Sequence, residues 1–160
     1  MIRAVFLATT LGFVAACTTP EPPATRAAAD HTDDASFACL QEAIYFEAGN
    51  SPAVGQKAVG HVILNRVEDP RFPNTVCGVV KEGEASGRCQ FSYRCQLDTS
   101  NIRWPENMVK AKKTTQELLF SGAPDPTEGA LFFHAKWMPP GWFNTLKRVG
   151  EFGGNIFYRG

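Results

Sequence analysis

The chain has 160 residues, with 16 Lys plus Arg against 16 Asp plus Glu, so its formal charge is zero. No basic face interleaved with aromatics is present, which argues against nucleic acid as a partner. A neutral, aromatic-rich surface suits a sugar polymer better.

Met1–Cys17 carries one basic residue, Arg3, and then an apolar run from Ala4 to Val14. That run is too short to span a bilayer, which needs about 20 apolar residues. With small residues before the cut point it reads as a secretory signal peptide. Val14-Ala15-Ala16-Cys17 resembles the lipobox of bacterial lipoproteins, which implies lipidation at Cys17 and attachment to a membrane. Thr18 after the cysteine, in place of aspartate, implies the outer membrane of a Gram-negative cell, facing the periplasm. Residues 18–35 are rich in Thr, Pro, Ala and Asp without apolar periodicity, and read as a flexible tether in which His31 is solvated. Residues 36–160, roughly 125, suit one domain with a single core.

Cys39–Arg66 reads as two helices meeting at a corner. Phe37, Leu40, Ile44 and Ala48 form one helical stripe, and Gly49-Asn50 tolerate the left-handed conformation that closes a helix. Ser51-Pro52 offers an N-cap with proline at the first helical position. Val54, Ala58, Val59, Val62, Ile63 and Arg66 continue a second stripe until Glu68-Asp69-Pro70. Glu47 stands just before the corner, among Ile44, Tyr45, Phe46 and Ala48. Partial burial and the negative end of the helix dipole both raise a carboxyl pKa, as a general acid requires. His61, in the middle of the second stripe, reads as structural.

Setting Cys17 aside leaves Cys39, Cys77, Cys89 and Cys95, an even number with three possible pairings in an exported domain. Cys89 and Cys95 are close enough to close a small loop, which leaves Cys39 with Cys77. With no C-x-x-C pair and no supporting histidine pattern, no metal or other cofactor is expected. Val76–Val80 is a short apolar run. Lys81–Arg88 is a polar loop whose Glu82 and Glu84 read as solvated. Gln90-Phe91-Ser92-Tyr93 alternates as a strand or hairpin lip would.

Trp104-Pro105-Glu106 opens a third long helix, with Met108, Ala111, Thr115, Leu118 and Leu119 on one side and Gly122 as its stop; it reads as scaffold. Ala130–Ala135 reads as a buried strand with His134 at its polar end, where it either binds substrate or bonds a carbonyl. Trp137, Trp142 and Phe143 around Pro139-Pro140-Gly141 are either a stacking platform for a sugar or core aromatics. Gly150–Gly154 reads as a glycine-rich turn, and Ile156–Tyr158 as a closing strand.

The stretch AIYFEAGNSPAVGQKAVGHVILNRVEDPRFPNTVCGVV resembles the SleB-type cell wall hydrolases, and CQFSYRC, GALFFHA, W-x-x-x-L and GNIFYR follow in that family's order. The resemblance runs from about Phe37 to Arg159. It implies an α+β fold: a single lysozyme-like domain of helices with a small β-sheet lobe. It implies a lytic transglycosylase that cleaves the β-1,4 bond between N-acetylmuramic acid and N-acetylglucosamine of peptidoglycan, with Glu47 as catalytic acid. It also places Gln90, Phe91, Ser92, His134 and Trp137 at a cleft that binds glycan strands. Where the family has E-A-R-G-E, this chain has Glu47-Ala48-Gly49-Asn50-Ser51, and a C-terminal histidine of the family is Asn155 here. Those two changes favour a rival reading, a peptidoglycan-binding lipoprotein with weak chemistry or none.

Overall fold

The structure, a computed structural model, describes residues 31–138 and 141–160. Cys17, most of the tether, Pro139-Pro140 and the side chain of Trp142 lie outside the described residues. The described helices are α1 (Asp34–Ala48), α2 (Ala53–Glu68), α3 (Val76–Val80), α4 (Tyr93–Gln96) and α5 (Pro105–Phe120). Three strands, β1 (Phe132–Ala135), β2 (Lys147–Phe152) and β3 (Asn155–Arg159), form an antiparallel sheet in the order β1-β3-β2. This is the expected α+β arrangement of helices with a small sheet lobe.

α1 begins where Asp33 accepts hydrogen bonds from the Ser36 amide (2.9 Å) and Ser36 Oγ (2.7 Å), a side-chain cap on the first turn. The helix therefore starts just before residue 36, where the domain was expected to open. The stripe read from the sequence is the buried one: Leu40, Ile44 and Ala48 are buried, and the half-buried Phe37 stacks on Phe120. His31 is not solvated; its side chain is only 17% exposed and lies 3.2 Å from Glu68 Oε1.

The corner differs from expectation in two ways. Gly49 stays in the right-handed region (φ −56°), so no left-handed residue closes α1. Ser51 does not cap α2 either, because its hydroxyl donates to the Gly153 carbonyl at 2.9 Å. The corner is closed by Gln56, buried on α2. Its amide Nε2 donates to the Gly49 and Ser51 carbonyls at 3.3 and 3.4 Å, and its Oε1 accepts from Thr114 Oγ1 at 2.7 Å. Buried amides need such complete pairing, since an unmet partner costs about 1–3 kcal/mol.

Two clusters make the core. One joins α1, α2, α3 and α5 through Leu40, Ile44, Ile63, Val76, Val79 and Ala111. The other seats the sheet on α2 through Val59, Val62, Ala130 and Phe157, and Phe133 touches both. The stretch Gly150–Gly154 is not all turn: Gly150 belongs to β2, beside an irregularity in its register, and the reversal uses only Gly153 (φ 59°) and Gly154 (φ 86°). A Cβ on Gly153 would sit 2.8 Å from Gly55 Cα, so glycine at both positions lets the hairpin end lie directly on α2. The Q-F-S segment is not a strand: Ser92 immediately precedes α4, and Phe91 is 2% exposed in the core. Its aromatic side chain packs inward, which leaves no alternating lip.

The structure contains the disulfides Cys39–Cys77 and Cys89–Cys95. Among the described residues no helix is long and apolar enough to cross a membrane.

Candidate active site

Glu47 lies in the last turn of α1, where Tyr45, Phe46 and Ala48 surround it. Next to the acid in the chain, Phe46 stacks on Tyr93 at 4.5 Å between ring centroids and meets Tyr45 edge-on at 4.8 Å. The Glu47 carboxyl forms no hydrogen bond or salt bridge with any described residue. Burial pushes its pKa up from 4.5 to about 7, against an opposing pull from Arg66. A carboxyl group of that kind holds a proton near neutrality and has no neighbour competing for it.

Two grooves open beside this acid, and among the described residues Glu47 is the one that lines both. The smaller, about 380 Å³, runs between the end of α1 and the Leu97–Asn107 segment. The larger, about 860 Å³, runs between the Gln90–Ser92 segment and the sheet lobe. Gln90, Phe91, Ser92, His134 and Trp137, the residues singled out from the sequence, all line the larger groove together with Glu47. Their settings differ. Gln90, Ser92 and Trp137 are exposed, Trp137 to 77%, whereas Phe91 belongs to the groove floor. His134 is buried, with Nε2 3.0 Å from Tyr158 Oη and Nδ1 2.8 Å from the Ala135 carbonyl. The Ala135 carbonyl requires a donor, so Nδ1 carries hydrogen and the ring is held between the carbonyl and the tyrosine hydroxyl. Phe143 meets the His134 ring edge-on at 5.7 Å, so Phe143 buttresses the lobe. Asn155, where the resembled family carries histidine, also lines this groove.

Arg66 is the residue that periodicity placed in the stripe without revealing its role. It is 5% exposed, donates from Nε to the Leu131 carbonyl at 2.8 Å, and its guanidinium lies 5.1 to 5.7 Å from the centres of Phe72, Phe91 and Phe132. Burial lowers its pKa to about 10, opposed by Glu82 and Glu47. Glu82 is accordingly not a solvated loop acid: its Oε2 is buried without a hydrogen-bond partner. Glu84 is exposed and paired with Arg94 at 2.9 Å. Neither lines a groove that meets Glu47. His61 bonds the Ala123 carbonyl at 3.0 Å and serves the scaffold. The start of α5, read as scaffold, is more than that, since Trp104 and Asn107 line the smaller groove.

A helical domain with a small sheet lobe and one unpaired acid at the meeting of two grooves defines the lysozyme-like class of carboxyl-bearing domains. Residues 50–158 match the Cell Wall Hydrolase family, and the chain belongs to that family. It is similar to the spore cortex-lytic enzyme of Bacillus subtilis, 51% identical over 121 residues that cover 74% of this chain and 35% of that protein. The corresponding enzyme of Halalkalibacterium halodurans is 30% identical over 135 residues, covering 84% of this chain and 37% of that one. The chain thus spans well under half the length of these relatives. Among solved structures, the catalytic domain of the germination-specific lytic transglycosylase SleB from Bacillus anthracis superposes with a TM-score of 0.59 at 28% identity, covering 79% of this chain and 96% of that one. The Bacillus cereus SleB catalytic domain gives 0.56 at 29% identity, covering 77% and 88%.

Proposed function

We propose that this protein cleaves peptidoglycan as a lytic transglycosylase, with Glu47 as its single catalytic carboxyl group. The observation that carries the reading is the position of Glu47, a carboxyl group whose pKa burial raises to about 7, as the one described residue common to two grooves, so that a glycan strand laid through both presents one glycosidic oxygen to it. Family membership and the resemblance to lytic transglycosylase catalytic domains support the substrate. The bond is the β-1,4 linkage from N-acetylmuramic acid to N-acetylglucosamine. Glu47 gives its proton to the leaving oxygen as the C1–O bond breaks. The carboxylate so formed takes the proton of the muramyl C6 hydroxyl while that oxygen bonds to C1 and closes a 1,6-anhydro ring. An intramolecular nucleophile has a high effective concentration and needs no second carboxylate to hold a water.

Besides Glu47, the carboxylate that lines either groove is Asp98. Its Oδ1 accepts from the Ser100 amide at 3.0 Å and from Ser100 Oγ at 2.7 Å, and these bonds lower its pKa. Digestion of murein sacculi followed by mass spectrometry tests the reading. Products ending in 1,6-anhydromuramic acid are expected, and Asp98→Asn is expected to keep at least about a fifth of the activity, since surface carboxylates seldom matter by more than about 1 kcal/mol. Products ending in reducing muramic acid, together with loss of activity in Asp98→Asn, would make this a two-carboxylate hydrolase. Binding without release of soluble fragments would favour the non-catalytic alternative.

The Val14–Cys17 motif supports a lipid anchor at Cys17, a tether, and a site of action on the periplasmic face of the outer membrane. Cys17→Ser is expected to move the protein to the soluble fraction or leave its precursor uncut; mature protein that stays with the membrane rules the anchor out.

A further inference from the structure

We propose that the smaller groove is a saccharide-binding arm in its own right, in which Trp104 stacks on a sugar ring and Arg103 pairs a carboxylate borne by the muramyl unit. The inference rests on the catalytic reading of Glu47, because that reading sends the glycan strand through both grooves.

Trp104 is 51% exposed although its ring is the largest apolar surface of the Leu97–Asn107 segment. Exposed aromatics are ordinary when scattered singly, but this one lines a groove that ends at Glu47. Its backbone is fixed to the acid's own helix: the Trp104 amide donates to Tyr45 Oη at 3.2 Å, and Tyr45 stands two residues before Glu47. One turn further on, the buried Asn107 donates from Nδ2 to Asn50 Oδ1 at 2.7 Å, tying the start of α5 to the corner. An exposed ring on a backbone pinned at two points is a preorganised platform, and the face of a sugar, all C–H, is what such a platform takes.

Arg103 lines the same groove and forms no hydrogen bond or ion pair with any described residue. Arg71, Arg94, Arg148 and Arg159 each hold a carboxylate. Asp98, the nearest acid in sequence among the groove's lining, is bonded to Ser100. An unengaged guanidinium fork beside a stacking surface is suited to an anion on the sugar, and planar carboxylate is its best match. Muramyl units carry carboxylates on the stem peptide or, once the stem is removed, on the lactyl group itself. Plain chitin carries neither.

The full-length Glu47→Gln protein, alone and combined with Trp104→Ala or Arg103→Gln, is measured for equilibrium binding to three polymers. These are murein sacculi, sacculi whose carboxylates have been capped as amides with carbodiimide and ammonia, and amidase-denuded glycan strands with free lactyl carboxylates. Trp104→Ala is expected to weaken binding about tenfold on all three. Arg103→Gln is expected to weaken it about three- to tenfold only where carboxylate is free. A loss on native sacculi assigns the partner to the stem, and a loss on denuded strands assigns it to the lactyl group. Unchanged binding by Trp104→Ala, or an equal response of Arg103→Gln on amidated and native sacculi, overturns the arm. Failure of the parent Glu47→Gln to bind any polymer overturns it as well. Cleavage of sacculi by Glu47→Gln sinks the catalytic reading alone.

Discussion

Glu47→Gln is expected to abolish release of fragments from sacculi while leaving binding nearly intact. The substitution keeps the shape of the side chain but removes the proton that reaches the leaving oxygen. General acid–base assistance contributes about 10²–10⁴-fold, and here both proton transfers pass through the same group, so the loss should sit at the upper end. In the wild-type protein, cleavage should fall as pH rises through about 7, because Glu47 must be protonated to act. The same group has a cost in stability. Its folded pKa lies above its ordinary 4.5, so between pH 4.5 and about 7 the folded chain holds a proton that the unfolded chain has lost. Stability therefore declines across that interval and is constant above it, by up to about 3 kcal/mol. Glu47→Gln lacks the titration and should gain most of that amount at pH 8 and almost nothing at pH 4. Urea unfolding at the two pH values measures it. Equal effects at both would show that the carboxyl group is solvated, and retained cleavage by the variant would remove Glu47 from the mechanism.

Cys39→Ser with Cys77→Ser is expected to be the most destabilising pair of changes outside the core. The bond spans 38 residues, and the chain-entropy relation assigns a loop of that size about 4 kcal/mol. For a domain this long, about 4 °C per kcal/mol is a reasonable conversion, so Tm should drop by about 16 °C. Removing Cys89–Cys95, which closes only six residues, should cost about 2 kcal/mol. Thermal unfolding of the two double variants tests the ranking. Cys39 sits against the main core on α1, and Cys77 on α3, so the longer bond ties the helix that carries Glu47 to α3. Comparable losses from both variants would show that residual structure in the unfolded chain, and not loop length, sets the stabilisation.

Much of this molecule was legible in the amino-acid order alone. Helical periodicity located α1, α2 and α5, because a stripe of buried side chains needs only a 3.6-residue repeat and one apolar partner surface. The lone acid of the YFEAGN segment was legible because its apolar neighbours in sequence line a groove with it. Cysteine parity and closeness singled out one pairing. The gathering of Gln90, Phe91, Ser92, His134 and Trp137 in one groove was legible only through resemblance, since nothing local connects residue 90 with residue 134.

What the order of residues left open was settled by contacts between distant segments. Ser51 looked like a helix cap, but the Gly153 carbonyl arrives from 102 residues away and takes its hydroxyl. Gly150–Gly154 looked like a turn, but pairing with β3 draws Gly150 into a strand, and only the two residues with positive φ reverse the chain. Glu82 looked solvated until the buried charge of Arg66 came beside it. Trp104 looked like the lead-in to a scaffold helix until the Tyr45 hydroxyl pinned it at the mouth of a groove. The sequence by itself determined the helices, the acid at their corner and the export signature, because each depends on neighbours within a few turns. Tertiary structure alone decided the second groove, the charge environment beneath Glu47 and the placement of Trp104 beside a groove. Burial and hydrogen bonding are properties of surfaces brought together, and those surfaces come from residues far apart in the chain.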